Sequence, residues 1–186
     1  LSTQLFSAGC NNETAGTGKQ AADTTAKTVG YDPNFNVEAQ AFADLQVLRY
    51  EVPGFNELTL KQKQLAYYLY EAALCGRDII YDQKSKYGLL LRKTLETVYG
   101  SYNGDKNAED WKKFEAYCGR FWFSNGNHHH YSNVKFIPEC SYEYFTALVK
   151  GSDTASLPKE AGENTDQFLA RVKPMLYDMK FEPKVV

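Results

Sequence analysis

The sequence predicts a mainly helical body, on three observations. Apolar residues recur every three or four positions through 59–82, 89–102 and 111–122, the spacing of a buried helix face. Turn-forming clusters interrupt that spacing at Pro53-Gly54 and Asn103-Gly104-Asp105, and Gly151 stops a later helix. With 186 residues, 43% of them apolar and 15% aromatic, the chain can bury a sizeable core.

The composition also narrows the function. Lys and Arg total 21 against 23 Asp and Glu, a net charge of −2, so no global field attracts nucleic acid, which is set aside as a partner. No run of about 18 apolar residues occurs, so no helix is expected to span a bilayer. The four cysteines, at 10, 75, 118 and 140, lack the close pairing of zinc ribbons or redox motifs and form no disulfide framework. Cys75 and Cys118 fall within helical patterns and read as small buried hydrophobes, whereas Cys140 sits by a loop.

Residues 1–10 end in Ser7-Ala8-Gly9-Cys10, small residues before a cysteine, and resemble the remnant of a bacterial lipoprotein signal with Cys10 as the lipidated residue. Ser7 stands where a large aliphatic residue is usual. This resemblance implies a periplasmic or outer-membrane lipoprotein of the bacterial cell envelope, touching the membrane only through its anchor; without it the chain reads as cytoplasmic. Residues 11–36 have the composition of a flexible polar tether, with order beginning at Tyr31 to Val37.

The folded body is expected over 37–186. Val37 to Leu48 reads as a short helix with Phe42, Leu45 and Leu48 on one side, followed by an extended Arg49 to Val52. Thr59 with Gln62 forms a capping box for a helix running to Asp82, roughly 35 Å at 1.5 Å per residue. Leu65, Leu69, Ala72, Gly76, Ile79 and Ile80 form its stripe, and Tyr67, Tyr68 and Tyr70 surround it. A helix apolar nearly all round is expected to be buried within a larger body. Arg77 and Asp78 read as a solvated or ion-paired helix end.

Leu91, Leu95, Val98 and Tyr102 place the next helix over 89–102. Asn107 is positioned to cap another, on which Trp111, Phe114, Cys118, Phe121 and Trp122 form a core stripe. That helix runs into a polar loop, pinned by aromatic residues on both sides, which holds all three histidines and closes at Pro138. Adjacent side chains point apart, so His128, His129 and His130 do not converge on one ion; they read as polar or aromatic contacts, with no metal site. Ser141 caps a short helix through Val149, and 151–164 reads as polar and flexible. Thr165 caps a last helix, Phe168 to Val172, ended or kinked by Pro174. The tail from Met175 to Val186, with Leu176, Tyr177 and Phe181, has nothing left to pack on and reads as cut.

Leu65-Ala66-Tyr67-Tyr68-Leu69 with Ala72-Ala73 and Gly76, and Tyr131-Ser132-Asn133-Val134-Lys135-Phe136-Ile137-Pro138 after Phe123-Ser124-Asn125-Gly126, carry a further resemblance. In order and spacing, residues 38–186 resemble the N-terminal region of the dipeptidyl peptidase III family, zinc metallopeptidases that release dipeptides from peptide N-termini, especially its bacterial, Bacteroidetes-type members. The resemblance implies part of the α+β lobe, a β-barrel with surrounding helices, of a two-lobed metallopeptidase. It also implies zinc in the complete protein, on a His-Glu-x-x-x-His helix and a later Glu, neither of which this chain contains, so no catalytic residue is expected here. The expected partners are short peptides and the remainder of its own chain, the catalytic lobe. Tyr131, Asn125 and His130 are the substrate-binding residues this resemblance suggests. The other reading is a self-contained helical surface lipoprotein that binds a peptide or protein partner through residues 123–138.

Overall fold

The computed structural model describes residues 32–185. The expected signal remnant with Cys10, and the tether as far as residue 31, lie outside the described residues. The described body is mainly helical, with one small sheet.

The first element corrects the sequence reading. Instead of a helix, residues 37–48 form a hairpin of strands β1 (Glu38–Phe42) and β2 (Leu45–Leu48), antiparallel with Phe42 opposite Leu45 and a register shift between Glu38 and Gln40. Ala43 adopts a left-handed φ of 49° in the two-residue connection, a geometry that matches strand twist. Along β2, Leu45 and Val47 are half-buried while Gln46 and Leu48 are exposed, a period of two. The three-residue spacing of Phe42, Leu45 and Leu48 therefore fits a helix by coincidence.

The capping box on Thr59 forms as expected, with both reciprocal bonds, and opens helix α1 (Leu60–Cys75). Gly76 then separates α1 from α2 (Arg77–Lys84), so the single long helix to Asp82 is not found. Glycine has the largest backbone freedom to lose in a helix, which makes it the weak point of this run. The expected burial of the stripe fails as well. No residue of α1 is buried by the described residues, and Leu65, Tyr67, Tyr68, Leu69 and Tyr70 are all more than half exposed. Cys75 is exposed too, contrary to expectation.

Helix α3 (Gly88–Ser101) buries Leu91, Leu95 and Val98, as the spacing predicts. Gly88 is required: a Cβ there would stand 2.2 Å from the carbonyl oxygen of Tyr81, so α2 and α3 meet backbone to backbone. Helix α4 (Glu109–Ser124) follows from an N-cap at Ala108 without a side-chain bond; Asn107 does not cap it. Its aromatic stripe is core. Trp111, Phe114 and Phe121 are fully buried, Trp111 lies stacked on Tyr102 at 3.9 Å, and Tyr81 stacks on Phe121 at 5.8 Å. Gly119 receives the Phe42 ring, which seats the hairpin on α4.

Ser141 caps α5 (Tyr142–Lys150), as predicted. The last helix, α6 (Thr165–Tyr177), is longer than expected and is capped by Asn164 with Gln167 in a capping box, not by Thr165. Pro174 stays inside its final turn. The segment before it is held in place: Leu157 is buried, and Arg171 donates to both carboxylate oxygens of Glu163 at 2.7 Å. The tail also finds a site. Met175 and Leu176 are buried, and the Phe181 ring lies 5.6 Å from that of Tyr87. Cys118 and Cys140 are buried among aromatic residues, where burial raises both thiol pKa values and keeps them protonated.

Candidate functional site

Helix α4 ends in the segment that carries the predicted site residues. Asn125 takes a left-handed φ of 52°, and the Gly126 N–H returns to the Phe121 carbonyl at 2.9 Å, closing the helix. Asparagine is among the few residues that adopt this conformation readily. From α2, the Lys84 ammonium donates to the carbonyls of Ser124 and His128, and its pKa is lowered by desolvation. The buried Asn127 carboxamide donates to the Met175 carbonyl at 3.0 Å. The loop is thus pinned from α2 on one side and α6 on the other.

The three histidines have three different settings. His128 is fully buried and donates from Nε2 to the Glu182 carbonyl at 2.7 Å, leaving Nδ1 without a partner among the described residues. His129 and His130 are half-buried, with ring centroids 4.4 Å apart. His130 lies 4.3 Å from Tyr131 and meets Phe123 edge-on at 5.0 Å. Tyr131 itself is 84% exposed. The outcome at the tip is a ladder of rings, Phe123, His130 and Tyr131, on a rigidly seated loop.

Of the predicted trio, His130 and Tyr131 come together while Asn125 faces elsewhere. Asn125 lines a separate recess of about 340 Å³ with Arg77, Tyr81, Arg92, Glu96 and Trp122. Arg92 is buried there, paired with Asp78 and with Glu96 at 2.8 Å, and lies over the Tyr81 ring at 4.9 Å. Asp78 is therefore ion-paired, as the sequence suggested, but its partner Arg92 was not anticipated. A larger groove of about 580 Å³, between the hairpin and α4, is lined by Phe42, Val47, Tyr99, Trp122 and Phe123 among others. The Tyr99 hydroxyl donates to Glu115 there at 2.8 Å, and this bond, with burial, pushes its pKa up to about 12. Reading the hairpin as a helix hid this groove.

No group of three His, Cys, Asp or Glu side chains is placed to hold a metal ion among the described residues. No described helix is long and apolar enough to cross a membrane.

His128 makes the body acid-sensitive. Burial lowers its pKa from the ordinary 6.5, with the bond to Glu182 opposing and Lys135 and Lys84 adding to the effect. The unfolded chain then takes up the proton at a higher pH than the folded one. Stability is full above about 6.5 and declines as pH falls toward the folded value. The melting temperature is expected to drop between pH 7.5 and 5, with a shallower slope in His128→Gln. An unchanged slope in that variant would assign the loss to other groups.

No family model matches the chain, and no curated protein matches it either.

Proposed function

We propose that this chain is the N-terminal portion of a zinc-dependent dipeptidyl peptidase of the dipeptidyl peptidase III family, forming scaffold and one wall of its peptide cleft. The observation that carries the proposal is α1. Tyr68 is 67% and Leu69 62% exposed, and the apolar side chains surround the helix. A helix of this kind requires a larger body to cover it. The catalytic lobe, with the zinc, is the covering body in this reading. The described residues offer that ion no ligand set, so no step of hydrolysis is derived for this chain. Its own contribution is recognition: Tyr131 and His130 present ring faces and edges to a short peptide, and Asn125 contributes from the separate recess that it lines. Cys10 anchors the protein to the bacterial envelope.

The test extends the chain through its natural upstream and downstream sequence and measures dipeptidyl-naphthylamide hydrolysis with zinc. Hydrolysis in the extended protein only, sedimenting with membranes until Cys10→Ser releases it, is the expected result. Tyr131→Ala should lower kcat/KM about tenfold, the order of one lost aromatic contact. Unchanged kcat and KM in that variant would remove Tyr131 from the cleft.

A second reading has its own support. The loop is pinned by Lys84 and Asn127 with Tyr131 84% exposed at its tip, which suits a self-contained helical surface lipoprotein that binds a peptide or protein through residues 123–138. Inactivity of both the short and the extended protein favours it.

A further inference from the structure

Tyr131 is strongly exposed, yet it sits on a turn that a neighbouring side chain closes. His129 Nδ1 accepts the backbone N–H groups of both Tyr131 and Ser132, each at 3.2 Å. Two backbone bonds complete the turn: His129 N–H to the Val134 carbonyl at 2.8 Å, and Asn133 N–H to the His129 carbonyl at 2.9 Å. Because both partners of Nδ1 are donors, Nδ1 must keep its lone pair and the ring proton resides on Nε2.

We infer that His129 is the positioning residue of the peptide-facing loop: its neutral ring holds the turn that presents Tyr131, and a proton on Nδ1 releases that turn. The inference rests on the reading of Tyr131 as a peptide contact. Protonation converts the acceptor into a third donor facing two donors, so both bonds are lost together. The His130 ring lies tilted against that of His129 at 4.4 Å, and Lys84 of α2 lies near enough to act on His130. Asp44, from the hairpin turn, opposes them but is already paired with Arg120 at 3.6 Å. Beneath the turn, Lys135 and Glu182 flank His128. Among the described residues the only other side-chain bond within the turn, Val134 N–H to the Ser132 hydroxyl at 3.4 Å, serves neither the Tyr131 nor the Ser132 N–H.

Two substitutions separate the acceptor from the ring. His129→Asn puts a carboxamide oxygen at the δ1 position, an acceptor that does not titrate and that suits an Asx-type turn. His129→Phe keeps a flat ring and has no acceptor. In the ¹⁵N-labelled chain, amide exchange of Tyr131 and Ser132, corrected for intrinsic rates, is followed from pH 8 to 5 beside the His129 ring resonances. The wild type should lose about tenfold protection in step with that ring, the equivalent of one net hydrogen bond. His129→Asn should stay protected throughout, and His129→Phe should exchange fast at every pH while the Lys135 and Phe136 amides remain protected.

The tetrapeptide Ala-Phe-Ala-Ala should shift the Tyr131 ring resonances of the wild type at pH 8 but not at pH 5, and those of His129→Asn at both. Amides that ignore the ring in the wild type, or a His129→Asn protein that titrates like the wild type, overturn the inference. Amides that follow the ring while the peptide has no effect at either pH support the turn and overturn the peptide-contact reading of Tyr131.

Discussion

Trp111→Ala is expected to cost about 4 kcal/mol, the range for a large aromatic residue removed from a close-packed core. Trp111 is fully buried at the start of α4, stacked on Tyr102, with Phe114 at 5.5 Å and Tyr99 at 5.4 Å. It joins α3 to α4, and no smaller side chain can touch all three rings. Its indole N–H, however, has no acceptor among the described residues, and an unsatisfied buried donor itself costs about 1–3 kcal/mol. Trp111→Phe keeps an aromatic face for Tyr102 and removes that donor, so its loss should be well below that of the alanine variant. Urea denaturation monitored by far-UV circular dichroism measures both. Equal losses would mean that the ring kept by phenylalanine contributes nothing at this position; a loss under about 1 kcal/mol in the alanine variant would mean that α4 is not the centre of the core.

What could be read from the sequence followed the range of the interactions. The stripe of α4 and the capping residues Thr59 and Ser141 are local, set by spacings of three or four residues, and all three formed as expected. Asn164 with Gln167 is equally local and was displaced by one residue only because Thr165 is also a good cap. The hairpin failed for a different reason. Phe42, Leu45 and Leu48 satisfy a helical spacing, and the deciding features are the pairing of Phe42 with Leu45 and the Gly119 notch that receives the Phe42 ring, 77 positions away in the chain. Arg92 was missed because its partner Asp78 lies on another helix. Of the candidate site, the pinned loop was legible. The separation of Asn125 from His130 was not, because it depends on how α2 and α3 pack against the end of α4.

The tail shows most clearly how a distant contact decides the outcome, and Lys135 is where to test it. Lys135 is buried, and its ammonium donates to three carbonyls: Pro174 at 3.3 Å, Asp178 at 2.8 Å and Phe181 at 2.7 Å. The Pro174 carbonyl, in the last turn of α6, also accepts the Asp178 N–H, and the Asp178 carbonyl accepts the Phe181 N–H. The ammonium adds a second bond to each and a donor to the Phe181 carbonyl, where a negative helix end favours a cation. Its pKa is lowered by desolvation, with Asp178 and Glu182 opposing, so holding the charge there has a cost that the three bonds offset. Lys135→Met retains the apolar stem but removes all three charge-assisted bonds, and should destabilise by about 3 kcal/mol. The loss should also be directional. Val185 N–H donates to the Asn133 carbonyl and Lys135 N–H to the Pro183 carbonyl, so the tail and the histidine loop brace each other. Hydrogen exchange in Lys135→Met should therefore rise in 127–136 and 178–185 while Leu91 to Val98 of α3 stays protected. Uniform acceleration through α3 would show that Lys135 supports the whole core, and unchanged exchange in the loop would show that the tail does not hold it.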